Sequence, residues 1–181
     1  MLTVLPKAWQ NAYPIIPPPE TAPKVSATAP VTVAELRGLA GQIKGRLLVD
    51  EPMARHTTFR IGGPADLFVQ AAGIEDVRRV LAWAKQKGLP LKVIGNGSNM
   101  LVSDRGVRGV VVKLARDFDK INFTSSGLFV GSGAKLAQVV NASIKQGYAG
   151  LESTVGIPGT MGGALATNAG TDTGSIGDLV I

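Results

Sequence analysis

The chain has 181 residues, of which 45% are hydrophobic and 18% charged, and its formal net charge is +6 at pH 7. These fractions are typical of a globular protein rather than of a disordered or fibrous one. No apolar run approaches the roughly 18–20 residues of a membrane-spanning helix, and the lack of cysteine excludes disulfides and thiolate metal sites. With a single histidine and no leader-like N-terminus, we expect a cytoplasmic protein without a metal site.

The positive charge is spread thinly along the chain, and only 5% of the residues are aromatic. Nucleic-acid-binding proteins usually combine a basic stripe with interleaved aromatic side chains. The composition therefore argues against nucleic acid as a partner. It favours anionic small molecules, such as phosphorylated cofactors.

The N-terminal part is rich in proline, with six in the 17 positions of residues 14–30. This density excludes a helix or a central strand, because each proline removes a backbone donor and fixes φ. We expect residues 1–30 to form a disordered tail, with a proline-motif ligand as the alternative. The folded part should begin near residue 31, and about 150 residues suffice for one domain or two small lobes.

Three helices are predicted after the tail. Thr32 and Glu35 fit a capping box at the start of the first helix, and Gly45 fits its C-terminal stop. Apolar residues at helical spacing predict a second helix over residues 76–88 and a third over about 135–147. The segments between these helices lack helical spacing.

Short β-rich runs occupy residues 67–69, 91–94, 107–114 and 128–130. Strands and helices mixed in this way predict an α+β or α/β domain. The pattern does not predict the order of the strands.

A first glycine-rich loop follows the predicted strand 91–94 and reads Gly95-Asn96-Gly97-Ser98-Asn99-Met100-Leu101. Glycine and asparagine tolerate positive φ, so this turn can direct several backbone N–H groups to one point and hold an anion. The hydroxyl and amide side chains in the loop would add donors. The alternative is a β-hairpin, since Asn-Gly is also a hairpin signal, and the turn alone favours the hairpin.

A second loop changes that balance and reads Gly156-Ile157-Pro158-Gly159-Thr160-Met161-Gly162-Gly163-Ala164, followed by Asn168-Ala169-Gly170. Its small residues would let the backbone lie flat against a large planar ligand. Close packing of backbone on backbone also selects small residues and is the alternative. Neither loop has the G-x-G-x-x-G spacing of a dinucleotide fingerprint or the P-loop pattern.

Five motifs, taken in order and spacing, resemble the UDP-N-acetylenolpyruvoylglucosamine reductases, also called UDP-N-acetylmuramate dehydrogenases. They lie at residues 51–66, which include HTTFRIGGPAD, and at 95–99, 109–111, 150–152 and 156–170. The resemblance extends over roughly residues 45–178. It implies the α+β, two-lobed FAD-binding fold of the p-cresol methylhydroxylase and vanillyl-alcohol oxidase type.

The resemblance implies a first FAD-binding lobe at residues 31–115 and a second, incomplete lobe at residues 116–181. It also implies non-covalent FAD, with the first loop around the diphosphate and the second along the ribityl chain and flavin ring. The residues implied to contact FAD are Gly95, Asn96, Gly97, Ser98, Asn99, Met100, Leu101, Gly156, Ile157, Pro158, Gly159, Gly162, Gly163, Ala164, Asn168 and Gly170.

By the same resemblance, NADPH reduces the flavin, and a hydride then passes to the enolpyruvyl group of a UDP-sugar. This reaction belongs to peptidoglycan precursor synthesis, and so to cell-wall biogenesis, cell shape and the cell cycle. The family's catalytic arginine, serine and glutamate motifs do not occur in this chain, so we expect them, and the substrate-binding domain, beyond Ile181. We expect weak FAD binding and no turnover from this chain alone.

Three other functions stay open at this point. The chain could be part of another FAD-dependent oxidoreductase of the same fold, a non-catalytic flavin-binding fragment, or a module that binds a partner through its proline-rich tail.

Two further side chains carry expectations. Arg60 should either bind an anion or pair with an acidic neighbour such as Asp66. His56 should be a hydrogen-bonded loop residue rather than a catalyst.

Overall fold

The computed structural model describes residues 31–125 and 127–180, so the proline-rich tail lies outside the described residues. The helices are α1 (Val33–Gln42), α2 (Ile74–Gln86), α3 (Leu136–Lys145) and α4 (Met161–Ala166). The strands are β1 (Arg46–Pro52), β2 (Pro64–Ala71), β3 (Leu91–Ile94), β4 (Val107–Leu114), β5 (Ile121–Thr124), β6 (Gly127–Val130), β7 (Gly170–Thr171) and β8 (Gly174–Ser175). Short 3-10 turns lie at Met53–Arg55, Arg116–Asp119, Glu152–Thr154 and Ile176–Leu179.

The first four strands form one mixed sheet in the order β1-β2-β4-β3. Strand β1 is antiparallel to β2, whereas β4 lies parallel to both β2 and β3. Helices α1 and α2 pack against one face through Leu39, Val69, Val80 and Val112, all buried. The four-stranded sheet thus forms, with these helices, the first hydrophobic core.

The opposite face of the sheet carries a second core cluster. Met53, Phe68 and Val111 are almost fully buried there, together with Ile94 at the end of β3. Residues 95–101 continue from Ile94, so the first glycine loop begins at the edge of this face.

The hairpin alternative for this loop is wrong. A hairpin joins antiparallel neighbours, but β3 and β4 pair in parallel, with Ile94 opposite Lys113. The chain must therefore return along the sheet between residues 95 and 106 before β4 begins. The glycine loop therefore belongs to a longer connection, which can contact other segments of the chain.

A third core cluster lies in the C-terminal part of the described chain. The β5–β6 hairpin and helices α3 and α4 enclose Leu136, Val139, Ala164 and Ile176. The turn Arg116–Asp119 links this cluster to the first core. Asp117 donates its N–H to the carbonyl of Ala72 at 3.1 Å, Phe118 packs against the first core, and Gly133 donates its N–H to the Phe118 carbonyl at 2.9 Å.

The three predicted helices are confirmed, although their boundaries differ by a few residues from the predicted ones. The capping box at Thr32 and Glu35 is present at the start of α1. The C-terminal stop at Gly45 is wrong, because α1 ends at Gln42 and the buried Ile43 is already extended. Gly45 instead donates its backbone N–H to the buried carboxylate of Asp76 at 2.9 Å.

The four predicted strands are present as β2, β3, β4 and β6. The strands β1, β5, β7 and β8 and the helix α4 come in addition to the predicted elements. Over residues 31–125 and 127–180, no helix combines the length and apolar character needed to cross a membrane.

Candidate functional site

The fold brings the two glycine-rich loops into direct contact. Ser98 donates its hydroxyl to the carbonyl oxygen of Pro158 at 3.2 Å. A Cβ atom on Gly95 would lie only 2.2 Å from the Oγ1 of Thr160, so the backbone at residue 95 lies directly against that side chain. Sixty residues of sequence separate these partners, and only the fold unites them.

A third segment, residues 56–60, closes on the first loop from the other side. Gly97 has a φ of +66°, and a Cβ there would lie 2.0 Å from the carbonyl oxygen of His56. Thr58 donates its backbone N–H to the Gly97 carbonyl at 3.1 Å. Both the conformation and the close approach therefore require glycine at position 97.

The first loop leaves a row of backbone donors without protein acceptors. Within the described part of the chain, none of the N–H groups from Asn96 to Leu101 donates a hydrogen bond, and neither do those of Gly156 and Gly159 in the facing loop. Consecutive N–H groups in such a turn form an anion-binding nest. The arrangement can therefore hold a phosphate or diphosphate.

Three exposed apolar side chains lie in or next to the segments that make this contact, and we call them the apolar rim. Phe59, Leu101 and Val155 are 63%, 78% and 59% exposed. Each belongs to or adjoins one of the segments that meet here. Apolar side chains grouped around a polar nest suit a ligand with a phosphate part and a flat ring part.

Residues 162–164, expected to lie flat against a planar ligand, are held by contacts that the sequence did not predict, and their contact with a ligand stays a prediction. These residues belong to the short helix α4, whose start Thr160 caps by accepting from the N–H of Gly163 at 3.3 Å. Gly162 donates to the Ser132 carbonyl at 2.8 Å, and Ala164 is buried in the third core. Close packing, the alternative reading, thus accounts for the small size of Gly162 and Ala164.

Asn168 and Gly170 make their contacts on the side of the C-terminal turn. Asn168 has a φ of +45°, and its side-chain oxygen accepts from the N–H of Gly177 at 3.0 Å. Gly170 pairs with Ser175 between β7 and β8. The side-chain oxygen of Asn168 is therefore already engaged in the described structure.

Sequence reasoning missed the segment 131–134, on which α4 rests. The N–H of Met161 donates to the Ala134 carbonyl at 2.8 Å, and the N–H of Leu136 donates to the Gly159 carbonyl at 3.0 Å. The only available signal was Gly131-Ser132-Gly133, a run that fails the dinucleotide pattern.

Two individual expectations are decided by the ion pairs. His56 places its Nε2 3.0 Å from the Oε1 of Glu51 and stacks on Phe68 at a centroid distance of 4.0 Å, so its structural role is confirmed. The pairing of Arg60 with Asp66 is wrong, because Asp66 pairs with Arg108 at 2.7 Å.

The fold and the site together define an α+β protein in which two glycine-rich loops meet around an anion-binding nest. Comparison with known families is consistent with that description: residues 65–180 match the FAD binding domain family. The chain belongs to this family of FAD-binding domains.

Within this family, the relatives that the chain matches share the name of one enzyme. The UDP-N-acetylenolpyruvoylglucosamine reductase of Desulforamulus reducens is 41% identical over 146 residues, covering 78% of this chain and 48% of that protein. The enzyme of the same name from Moorella thermoacetica is 43% identical over 151 residues, covering 81% and 50%. The resemblance stated from the motifs is therefore confirmed.

A solved structure agrees with both sequence comparisons. The crystal structure of UDP-N-acetylenolpyruvylglucosamine reductase from Thermus caldophilus superposes with a TM-score of 0.62 at 34% identity, covering 75% of this chain and 46% of that one. The chain spans about half the length of the relatives that it matches.

Proposed function

We propose that the chain binds FAD non-covalently where its two glycine-rich loops meet, as the FAD-binding part of a UDP-N-acetylenolpyruvoylglucosamine reductase. Held there, FAD would supply the chemistry of hydride transfer between NADPH and the enolpyruvyl group of a UDP-sugar. The reaction would yield UDP-N-acetylmuramate for peptidoglycan. A cytoplasmic location and roles in cell shape and the cell cycle belong to the same proposal.

The observation that carries this proposal is the row of N–H groups from Asn96 to Leu101 that donate no hydrogen bond among the described residues, in a loop that contacts the second loop through Ser98. These donors would bind the diphosphate, while Ser98 holds the second loop in place through Pro158. The apolar rim would shield the ring system from water. Residues 31–115 and 116–181 would act as the two lobes on either side.

The strength of binding follows from a comparison of magnitudes. Three charge-assisted hydrogen bonds to a diphosphate contribute roughly 5–9 kcal/mol. Association and ordering cost on the order of 4–15 kcal/mol. We therefore expect weak, saturable FAD binding by this chain.

An Asn99→Asp variant tests the position of the nest. Asn99 is exposed, so the change keeps the shape of the side chain while it replaces an amide donor with a negative charge beside the diphosphate. We expect the Kd for FAD, measured by flavin fluorescence, to rise at least about tenfold, since each charge-assisted hydrogen bond exceeds 1.4 kcal/mol. Asn141→Asp, the same change at an exposed position of α3, should leave the Kd unchanged.

Equal FAD affinity in both variants would place the diphosphate elsewhere. A folded chain that binds no FAD at all would overturn the proposed function. Gly97→Val is a poorer choice, because its Cβ would overlap the His56 carbonyl and distort the loop whether or not FAD binds there.

A further inference from the structure

Two lysines flank the contact between the glycine loops. Lys113 in β4 lies opposite Ile94, the residue immediately before Gly95. Lys135 forms an isolated β-bridge with Thr160, whose hydroxyl lies against Gly95. Each lysine is therefore one pairing step away from the point where the two loops touch.

The side chain of Lys113 lies on the face of the sheet that carries the first loop. Side chains alternate along a strand, and partners opposite one another point to the same face. Ile94 and Val111 both belong to the second core cluster. Lys113 therefore extends from this face, two residues beyond Val111, toward the glycine loops.

Neither ammonium group forms an ion pair in the described part of the chain, although the charge of Asp119 acts on Lys113. In residues 31–125 and 127–180, no ion pair within 4.0 Å involves Lys113 or Lys135. Burial lowers the pKa of Lys113, the charge of Lys135 lowers it further, and Asp119 acts in the opposite direction. The two cations are thus close enough to repel each other, and one of them is partly buried.

The surroundings add to this positive potential. Lys135 is the N-cap residue of α3, the end of a helix at which a cation is unfavourable. The unpaired N–H groups of the first loop lie on the other side of Gly95. A ligand with two negative charges would relieve the repulsion and satisfy the donors together.

We propose that Lys113 and Lys135 jointly bind the diphosphate of FAD and thereby make the site select a dinucleotide flavin over riboflavin. This assignment rests on the proposed function. A lysine suits this role because its ammonium group is a compact point charge on a flexible side chain, which can adjust its position to reach a phosphate.

The test measures Kd for FAD and for riboflavin in five chains: the unchanged chain, Lys113→Met, Lys135→Met, Lys135→Arg and Lys145→Met. Methionine keeps the apolar stem, and Lys145 is an exposed control at the far end of α3. We expect each of the first two variants to weaken FAD binding at least tenfold, with riboflavin binding unchanged and the control unaffected. Lys135→Arg should retain FAD affinity because it keeps the charge.

A stability measurement separates this role from a structural one. Removing a partly buried, repelled charge should leave the thermal midpoint of Lys113→Met without ligand equal to or above that of the unchanged chain. A lower midpoint would indicate that the lysine supports the fold.

The two proposals fail in different ways. If the unchanged chain binds FAD and both methionine variants bind it equally well, the lysine assignment is wrong and the proposed function stands. If the unchanged, folded chain binds no FAD, the proposed function fails and the lysine assignment fails with it.

Discussion

Asp76 is a buried carboxylate that joins three segments of the chain. Only 3% exposed, it accepts backbone N–H groups from Lys44 and Gly45, both at 2.9 Å, and from Ala72 at 2.8 Å. These donors belong to the connections that precede β1 and α2. One side chain thus fixes how the first helix, the edge strand and the second helix enter the sheet.

Asp76→Asn should destabilise the fold by at least about 2 kcal/mol. One oxygen accepts from Lys44 and the other from both Gly45 and Ala72, so an amide must point its NH₂ group at one or two backbone donors. Hydrogen bonds to charged groups contribute roughly 1.5–3 kcal/mol each. Urea unfolding would measure the loss.

The neighbouring Glu75 provides the control for this prediction. Glu75 is exposed, and among the described residues its ion pair is with Arg78, at 2.8 Å. Glu75→Gln should therefore change the free energy of unfolding by less than about 0.5 kcal/mol. Comparable losses in the two variants would show that the three backbone contacts of Asp76 contribute little.

At the scale of elements, α1 is attached to α2 by a charge pair that depends on pH. The ammonium group of Lys87 and the backbone N–H of Thr32 lower the pKa of Glu35 from 4.5 to about 2. A carboxylate with a lowered folded-state pKa stabilises the fold above its unfolded-state pKa. The contribution should be complete above pH 4.5 and should disappear as the pH falls toward 2.

Glu35→Gln should therefore reduce the loss of stability between pH 5 and pH 2 relative to the unchanged chain. Lys87→Met should do the same, because Glu35 loses its main partner. Urea midpoints at several pH values would measure the difference, with Glu75→Gln as the exposed control. If all three variants follow the pH profile of the unchanged chain, the Glu35–Lys87 contact does not stabilise α1.

Elements whose stabilising residues lie close together in sequence could be predicted, and those that depend on distant partners could not. The capping box that starts α1 involves residues three apart, and the apolar stripes of α2 and α3 repeat within each helix. Helix α4 has six residues and includes Gly162 and Gly163, so its own propensity is poor, and it depends on hydrogen bonds to residues 132–134. No local pattern reveals such partners.

The same distinction applies to the candidate site. Composition identified both glycine-rich loops, and the positive φ of Gly97 agrees with the turn chemistry. Their contact through Ser98 and Pro158, and the approach of His56 to Gly97, depend on the parallel pairing of β3 with β4. The lysines at 113 and 135 had no sequence signal, because each is significant only through its partner in the fold.

At the scale of the whole molecule, the glycine loops lie where the sheet meets the C-terminal part. The first loop continues from the second core cluster, and the second loop leads into α4 of the third. They meet through the Ser98 hydroxyl on the Pro158 carbonyl and through the backbone of Gly95 against the Thr160 side chain. A ligand that needs both loops can therefore bind only when both parts are folded.

Hydrogen exchange can test this coupling directly. A ligand that binds only the fully folded chain slows exchange through global unfolding about 100-fold when it is present at about 100 times its Kd. We expect FAD to produce equal slowing at Val110–Val112 in the sheet and at Val139–Val140 in α3, which are buried in different cores. Asn99→Asp at the same FAD concentration should show much less slowing. Protection confined to one of the two cores would mean that FAD binds a single loop, because only the part of the chain that holds the ligand would then be stabilised.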